Sequence, residues 1–323
     1  MNITTLKTAW DKACAEETVW DRLTVKEQQF FFRTPDTLVP LSSFAREKLP
    51  PIPADLPPLG RFLARMSAFA NIGASRPGTE EVTFYSLIGK PHGTGMKRLL
   101  DRFFLRVGSS PLNWRRRQVE QFIKQKMFGF LSEKEDFGFL DIGSGGGFDS
   151  LEIARLVSSI ADNGDAHSRI SIVNVDIDTF WLKQNEKLSD LLYKGKPPIV
   201  RRNMSVFDYL DNKTYMDDFP DRSNLVISCN GFAEFFEDEL LRSLFSSISR
   251  MTSDFTGRVS LIIPFAVKNR LQELLSRMVG FNYLARDIAD ISNMIQDNFP
   301  GFSLEVRSQF SQMIFLLHRK ASQ

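Results

Sequence analysis

The sequence predicts an α/β protein in which a largely parallel sheet, flanked by helices, follows a mainly helical amino-terminal region. Three observations support this prediction. From residue 137 onward, apolar strand-like runs alternate with helical periodicity, the pattern of a parallel sheet with helices on both faces. The first of these runs breaks into a cluster of glycines. The chain ends in two adjacent strand-like runs, 302–307 and 312–318, which predict a terminal β-hairpin.

The composition is that of an ordinary soluble globular protein. The 323 residues are 42% hydrophobic and 25% charged, and the net charge of +2 implies no polyanionic partner. Cys14, Cys229 and three scattered histidines predict neither a disulfide framework nor a metal site. The sequence has no apolar run near the ~18 residues of a membrane helix and begins with no signal peptide. We therefore expect a cytoplasmic protein without a membrane partner.

The chain divides, on this interpretation, into a helical cap or substrate subdomain over residues 1–135 and a sheet domain over 136–323. The stretch from Leu6 to Phe32 reads as mainly helical, with Trp20, Leu23 and Phe30 among its core residues. A proline-rich linker at 49–58 precedes a helix over 59–72.

A glycine-punctuated loop over 89–95 comes next, and a helix over 96–107 follows it. Ser110 and Pro111 then read as the N-cap and first residue of a further helix that continues to about residue 130. The loop has the composition of a mobile lid, and His92 within it is a candidate base, although a loop histidine can equally be only exposed. Tyr85, just before the loop, is a similar candidate.

An arginine run, 115–117, lies on the helix before the first strand of the sheet. A guanidinium group matches a carboxylate in geometry, so Arg116 in this run is a candidate for contact with an acidic ligand group. The same run also fits a solvated helix face from which one arginine turns inward.

The central motif is the strand and glycine turn at 137–149, which reads Phe-Gly-Phe-Leu-Asp-Ile-Gly-Ser-Gly-Gly-Gly-Phe-Asp. A buried strand, a glycine turn and a helix together present backbone amides to a ligand, and some of these glycines are expected at positive φ. Asp141 stands at the carboxyl end of the strand, where a carboxylate repels phosphate but accepts hydrogen bonds from a cationic or hydroxylated ligand. The candidate ligand contacts here are Asp141, Gly143, Ser144, Gly145 and Gly147.

The next three strand-like runs also end in polar residues. Because the carboxyl ends of parallel strands meet at one edge of a sheet, these residues belong to the same predicted site. The run 170–176 ends in an acid, 199–203 in an amide, and 224–230 in a serine and an amide. The candidate ligand contacts in these three exits are Asp176, Ile177, Asn203, Met204, Ser205, Ser228 and Asn230.

A dinucleotide site is the competing interpretation of the glycines. The Gly-x-Gly-x-x-Gly pattern starting at Gly143 requires glycine at position 148, where the chain has Phe148. Asp176 also comes later than the ~20 residues expected between the glycines and the ribose-binding acid. These two departures rank NAD or FAD below the alternative that follows.

The pattern Asp141-x-Gly143-x-Gly145-x-Gly147 resembles motif I of the class I S-adenosylmethionine (SAM) dependent methyltransferases. The resemblance covers about 137–320 and implies a Rossmann-like seven-stranded sheet closed by the terminal hairpin. It implies that Asp176 binds both ribose hydroxyls, that Asn203 and Met204 contact the adenine, and that Ser228 and Asn230 lie beneath the methionine part of SAM. Asn230 would then also face the substrate as a candidate catalytic residue.

Three functions stay open at the level of sequence. The first is methylation of a small-molecule or carrier-bound metabolite, in secondary metabolism or signalling. The second is cyclisation of SAM itself to azetidine-2-carboxylate with release of methylthioadenosine, since 113–117 and the helical amino-terminal part are similar to a bacterial group that holds both activities. The third is a non-catalytic SAM-fold binding protein. Nucleic acid is disfavoured as a substrate because residues 229–232 lack a platform for a flipped base.

Overall fold

The computed structural model describes residues 3–16, 19, 31–33, 38–40, 51–75, 82–83, 85–86, 91–160, 169–193, 198–219, 224–270, 273–274, 277 and 284–321. The helices within this part are α1 (Ile3–Ala15), α2 (Pro58–Met66), α3 (Ala68–Ser75), α4 (Gly95–Glu133), α5 (Phe148–Ile160), α6 (Thr179–Tyr193), α7 (Val206–Asp211), α8 (Tyr215–Asp218), α9 (Asp238–Ser253) and α10 (Ile288–Asn298). The strands are β1 (Phe31–Arg33), β2 (Leu38–Pro40), β3 (Phe137–Ile142), β4 (Ile170–Asp176), β5 (Ile199–Asn203), β6 (Asn224–Ser228), β7 (Val259–Ala266), β8 (Ser303–Gln309) and β9 (Gln312–Arg319).

Seven strands form one sheet in the order β5-β4-β3-β6-β7-β9-β8. The first five of these pair in parallel, whereas β9 runs antiparallel to both β7 and β8. The first strand of this sheet, β3, therefore lies in its middle. Strands β4 and β5 follow on one side, β6 and β7 on the other, and the β8–β9 hairpin completes the second side. This arrangement confirms the predicted Rossmann-like methyltransferase sheet with its terminal hairpin.

The central strands are apolar because both of their faces are covered. All residues of β3 and β7 are buried, and two separate apolar clusters lie on opposite sides of the sheet. The edge strand β8 is mostly exposed and carries charged side chains, which protect an unpaired edge from association with other chains. A sheet buried on both faces leaves its strand ends as the place where a ligand can reach it.

Helix α4 corrects the predicted break at Pro111, because it is continuous from Gly95 to Glu133 with Pro111 inside it. Proline removes one helical hydrogen bond. The helix continues because its inner face is anchored on both sides of the proline, with Leu105 before it and Val119, Phe122 and Met127 after it, all buried in the core. Ser110 is accordingly a helical residue whose hydroxyl donates to the Arg106 carbonyl at 2.9 Å, and not an N-cap.

The amino-terminal region is only partly helical. The predicted helix through Phe32 is wrong at its end, where β1 pairs with β2 in an antiparallel ladder. Consecutive aromatic residues favour extended backbone, and the Thr34-Pro35 pair that follows opposes a helix at residue 34. Trp20, Leu23, Phe30 and the linker residues 49–50 lie outside the described residues.

Helix α1 packs against α5 on one face of the sheet domain. The Arg155 guanidinium of α5 donates to the Ala13 carbonyl at 3.1 Å and pairs with Glu152 at 2.7 Å.

Among the described residues no helix combines the length and the apolarity that crossing a membrane requires. The division of the chain at residue 135 stays a prediction.

Candidate functional site

The predicted ligand contacts lie at the carboxyl ends of β3, β4, β5 and β6. Asp141 of β3 lies between Asn174 of β4 and Ser228 of β6 in the register of the sheet, and all three are buried. The glycine turn follows directly after Ile142, the last residue of β3. Neighbouring strands therefore bring together residues that are far apart in sequence, as the parallel arrangement predicts.

The glycine turn needs glycine for two physical reasons. Gly143, Gly145 and Gly147 have φ of 61°, 50° and 59°, a region that residues with a side chain rarely adopt. A Cβ on Gly143 would also lie 2.3 Å from the Phe232 ring. The expected positive φ is thus confirmed, and the close approach at Gly143 is to the chain's own aromatic residue.

The amides of the turn do not point freely outward as the motif suggests. Gly143 and Ser144 donate to the Val175 carbonyl at 3.0 and 3.2 Å, and Gly147 donates to the Ser144 carbonyl at 2.7 Å. Gly145 donates to the Asp176 carboxylate at 2.7 Å. These bonds hold the turn against the end of β4, so the shape of the turn is set before any ligand arrives.

Asp176 is the acid at the end of β4 that faces the glycine turn. One carboxylate oxygen accepts from the Gly145 amide and the other from the Asp178 amide, both at 2.7 Å. Burial raises the pKa of Asp176 above the ordinary value, and these amide donors only partly oppose that effect. The Ile177 amide also acts on this carboxylate, but a carboxylate has about four acceptor positions, so part of its acceptor capacity is left for hydroxyl groups.

The exit of β5 lies directly beside Asp176. The Asn203 amide donates to the carbonyls of Asp176 and Ile177 at 3.2 and 2.9 Å, and its oxygen accepts from Thr179 at 2.8 Å. Asn203 therefore supports the loop after β4, and its side-chain oxygen, the acceptor that a contact with the adenine amino group would use, is already bonded. Ile177 is 75% exposed, which leaves an apolar surface beside Asp176.

Met204 and Ser205 complete this exit. The Met204 amide donates to the Asp176 carbonyl at 3.1 Å, and its side chain packs on the apolar cluster of one sheet face. Ser205 is the N-cap of α7, because its hydroxyl accepts from the Phe207 amide at 3.2 Å. Its immediate role is to end the strand and start the helix.

Asp149 was not assigned a role from the sequence, yet it lies at the centre of the β6 exit. Its Oδ2 accepts from the Ser228 hydroxyl at 3.1 Å and from the Asn230 amide at 3.2 Å. Burial raises the pKa of Asp149, and the two hydrogen bonds oppose this. The available signal was its position as an acid in the first turn of α5, next to the glycines.

Several buried polar atoms around the turn have no hydrogen-bond partner within the described part of the chain. They are the Ser144 hydroxyl, the Asn230 side-chain oxygen and both amide atoms of Asn174. Buried polar groups are normally paired because desolvation without a partner is costly. Ser144 and Asn230 stand at the strand ends, so their unpaired atoms mark where a polar ligand group fits.

Arg115, rather than Arg116, is the arginine that turns inward. It is buried, donates to Glu234 at 3.0 Å and to Gln312 at 3.3 Å, and a Cβ on Gly231 would lie 3.2 Å from its Nη2. Arg116 instead pairs with Glu120 one turn along α4 at 3.2 Å. The long helix α4 thus reaches the β6 exit through Arg115.

Tyr85 and His92 belong to a separate cluster built on Asp101 of α4. The Tyr85 hydroxyl and the His92 amide donate to one oxygen of Asp101 at 2.5 and 2.7 Å, and Ser67 donates to the other at 2.7 Å. Burial, and then the charge of Asp101, raises the pKa of Tyr85 well above its usual range. No described hydrogen bond links this cluster to the strand ends, and its bonds tie separate segments to α4.

Aromatic rings border the glycine turn on the β6 side. Phe232 lies against Gly143 and forms an edge-to-face pair with Phe236, with ring centroids 4.6 Å apart. Cys229 beneath them is buried, and its pKa is raised to about 12 by burial, so a nucleophilic thiolate is excluded there. The site therefore combines a carboxylate, amides, a serine and an aromatic border.

Comparisons with known proteins add fold neighbours at low identity. No family model matches the chain, and no curated protein matches it. A possible exported protein from Bordetella parapertussis is 12% identical over 98% of this chain and 97% of its own, with a TM-score of 0.49. The DszA carbon methyltransferase is 13% identical over 91% of this chain and 76% of its own, with a TM-score of 0.47.

Magnesium protoporphyrin IX methyltransferase from Synechocystis PCC 6803, in a structure with bound SAM, is 12% identical over 83% of this chain and 100% of its own. The TM-score is 0.43. None of these three similarities reaches a TM-score of 0.5, so the fold assignment rests on the strand order and the register of the sheet. The fold is that of the class I methyltransferases.

Proposed function

We propose that this protein binds SAM at the carboxyl ends of β3, β4 and β6 and transfers its methyl group to a small-molecule or carrier-bound metabolite. The observation that carries the proposal is the Asp176 carboxylate held 2.7 Å from the Gly145 amide. The buried Asp141 carboxylate at the end of β3 repels anions and so disfavours a phosphate at the glycine turn. An acid on the rim of the turn, in this strand order, suits a ribose.

The residues present fit the cofactor part by part. Asp176 retains acceptor capacity for the two ribose hydroxyls. The exposed side chain of Ile177 offers a surface for an adenine ring. The unpaired atoms of Ser144 and Asn230 fit the polar amino-acid end.

When bound, SAM supplies a methyl group on a sulfonium, which is electrophilic without further activation. The protein's part is then to align the acceptor and to exclude water, since such a transfer depends on orientation and desolvation more than on strong acid–base help. The rings of Phe232 and Phe236 limit access of water from the β6 side. Such a transfer requires no base, and the carboxylates at the strand ends, Asp149 and Asp176, are already engaged in hydrogen bonds.

The amino-terminal region is proposed to shape the acceptor site. Support comes from α4, which carries both Arg115 at the β6 exit and Asp101 at the centre of the Tyr85 cluster. One helix therefore joins the segments before residue 95 to the loop beside the ligand site. In this proposal Tyr85 and His92 set the position of the cap, and neither is the base.

Cyclisation of SAM is a second candidate reaction. The edge-to-face pair of Phe232 and Phe236 beside Gly143 favours it, because aromatic faces stabilise a cation such as a sulfonium. A role in secondary metabolism and a cytoplasmic location remain part of the proposal.

Titration of the purified protein with S-adenosylhomocysteine tests the binding half of the proposal. We expect saturable one-site binding that depends on Asp176. Absence of binding by the folded protein would refute the proposed function. Incubation with SAM, first alone and then with extracted metabolites, separates the two reactions by their nucleoside product.

A further inference from the structure

The contact between Asp149 and Asn230 is a polar pair that joins the end of β6 to the first turn of α5. Asn230 Nδ2 donates to Asp149 Oδ2 at 3.2 Å, and Ser228 donates to the same oxygen at 3.1 Å. Ser228 is fully buried. The carboxylate is therefore fixed in position by two donors from one strand end.

The carboxylate dictates which way the Asn230 amide faces. An ionised carboxylate only accepts hydrogen bonds, so the amide must turn its NH₂ group toward Asp149. Its oxygen then points to the opposite side, where it is buried and has no partner among the described residues. The NH₂ group and the oxygen of an amide are similar in size, so without Asp149 they could exchange places.

We propose that Asp149 is a positioning residue that orients Asn230 so that its side-chain oxygen accepts a hydrogen bond from the ammonium group of the ligand's amino-acid end. This inference rests on the proposed function, because SAM carries that ammonium group. It assigns a role to a residue outside the glycine motif and a specific atom of Asn230 to a specific group of the ligand.

Charge supports the choice of an ammonium group. The Asn230 oxygen and the Asp149 carboxylate behind it form a negative pair that favours a cationic donor. Arg115, which pairs with Glu234 through Nη1, also lies beside the next residue, because a Cβ on Gly231 would lie 3.2 Å from its Nη2. An acceptor and a guanidinium beside the same loop match the ammonium and carboxylate of an α-amino acid.

The test compares two probes by calorimetric titration: S-adenosylhomocysteine and its analogue in which hydrogen replaces the α-amino group. Asp149→Asn allows the Asn230 amide to face either way, and Asn230→Leu removes the acceptor. Asn230→Leu should weaken S-adenosylhomocysteine about tenfold, the size of one hydrogen bond to a charged donor. Asp149→Asn should weaken it by a smaller factor, about twofold, because an amide that faces either way presents its oxygen about half of the time. Both changes should leave the deaminated analogue unchanged. Asp190→Asn at an exposed site of α6 is the matched control.

The double variant tests whether Asp149 acts through Asn230. In the Asn230→Leu background, Asp149→Asn should have no further effect on affinity, because there is no amide left to orient. Equal loss for both probes, or additive losses in the double variant, would overturn the inference. If Asp149→Asn does not fold, Asn230→Leu alone decides whether the loss is confined to the probe with the amino group.

The proposed function and this inference fail in different ways. If the unaltered protein binds neither probe, the proposed function is wrong. If it binds S-adenosylhomocysteine with the same affinity before and after both substitutions, SAM binding stands and the role of Asp149 and Asn230 is wrong.

Discussion

Replacement of Asp176 by alanine should weaken S-adenosylhomocysteine strongly and leave the sheet folded, at a lower free energy of unfolding because the amides of Gly145 and Asp178 lose their acceptor. The carboxylate already accepts from Gly145 and Asp178, both at 2.7 Å, so its remaining acceptor positions are shared between two ribose hydroxyls. The binding free energy that Asp176 contributes is then comparable to that of one full hydrogen bond to a charged group, about 1.5–3 kcal/mol. That free energy corresponds to a loss of affinity of roughly ten- to a hundredfold.

Calorimetric titration at neutral pH measures this loss, and Asp178→Ala is the matched control. The Asp178 side chain caps α6 through the Phe180 amide at 2.9 Å, so its removal should cost about 1 kcal/mol of stability and little affinity. Urea unfolding of both variants separates the two effects. Unchanged affinity in Asp176→Ala, or an equal loss in Asp178→Ala, would refute the assignment of the ribose acid.

Further predictions concern stability and pH. Arg115→Met should lower the free energy of unfolding by about 3–5 kcal/mol, because it leaves the buried Glu234 carboxylate unpaired. Arg117→Met on the exposed face should change the free energy of unfolding by less than about 0.5 kcal/mol. Equal urea midpoints for the two variants would contradict this prediction. The pKa of His318 is lowered to about 4 by burial and then by Lys126, so the stability it contributes is complete above pH ~6.5 and is lost as the pH falls through about 4. His318→Phe, which keeps the stack on Phe122, should flatten the pH dependence of urea unfolding in that window, and an unchanged slope would count against it. Gly145→Val should abolish binding of S-adenosylhomocysteine, because a branched side chain at φ 50° strains the turn and occupies ligand space; a titration that still saturates would refute this.

The sheet domain could be predicted from sequence because its signals are local. Buried strands, the glycine turn and the polar residues after each strand all occur within short windows, and parallel pairing then places them at one edge. Asp176 is the last residue of the second strand of this sheet region, β4, so its position near Gly145 required only the order of the strands.

The errors came from features that depend on tertiary packing. Pro111 reads as a helix start, but the buried residues on both sides of it keep α4 continuous. Any of residues 115–117 could have turned inward, and the pairing of Arg115 with Glu234 joins residues 119 positions apart. Asn203 was assigned to adenine by its place in the chain, whereas Thr179 and two carbonyls take its hydrogen bonds.

The partners of Asp149 and Asp101 could not be predicted from the sequence, although the place of Asp149 next to the glycines was a signal for its position. Each is a single acid on a helix, and such residues usually face solvent. Only the fold shows that Asp149 meets the β6 exit and that Asp101 receives donors from three separate segments.

The most direct test of the central claim follows the methyl group itself. The protein is incubated with SAM that carries a labelled methyl group, first alone and then with a metabolite extract, and the nucleoside products and the label are identified. Methyl transfer predicts that, without an acceptor, the protein breaks down SAM no faster than the spontaneous background. It also predicts that the extract yields S-adenosylhomocysteine and that the label moves to the acceptor. Enzyme-dependent methylthioadenosine that forms without any acceptor and retains the label would contradict methyl transfer and establish cyclisation.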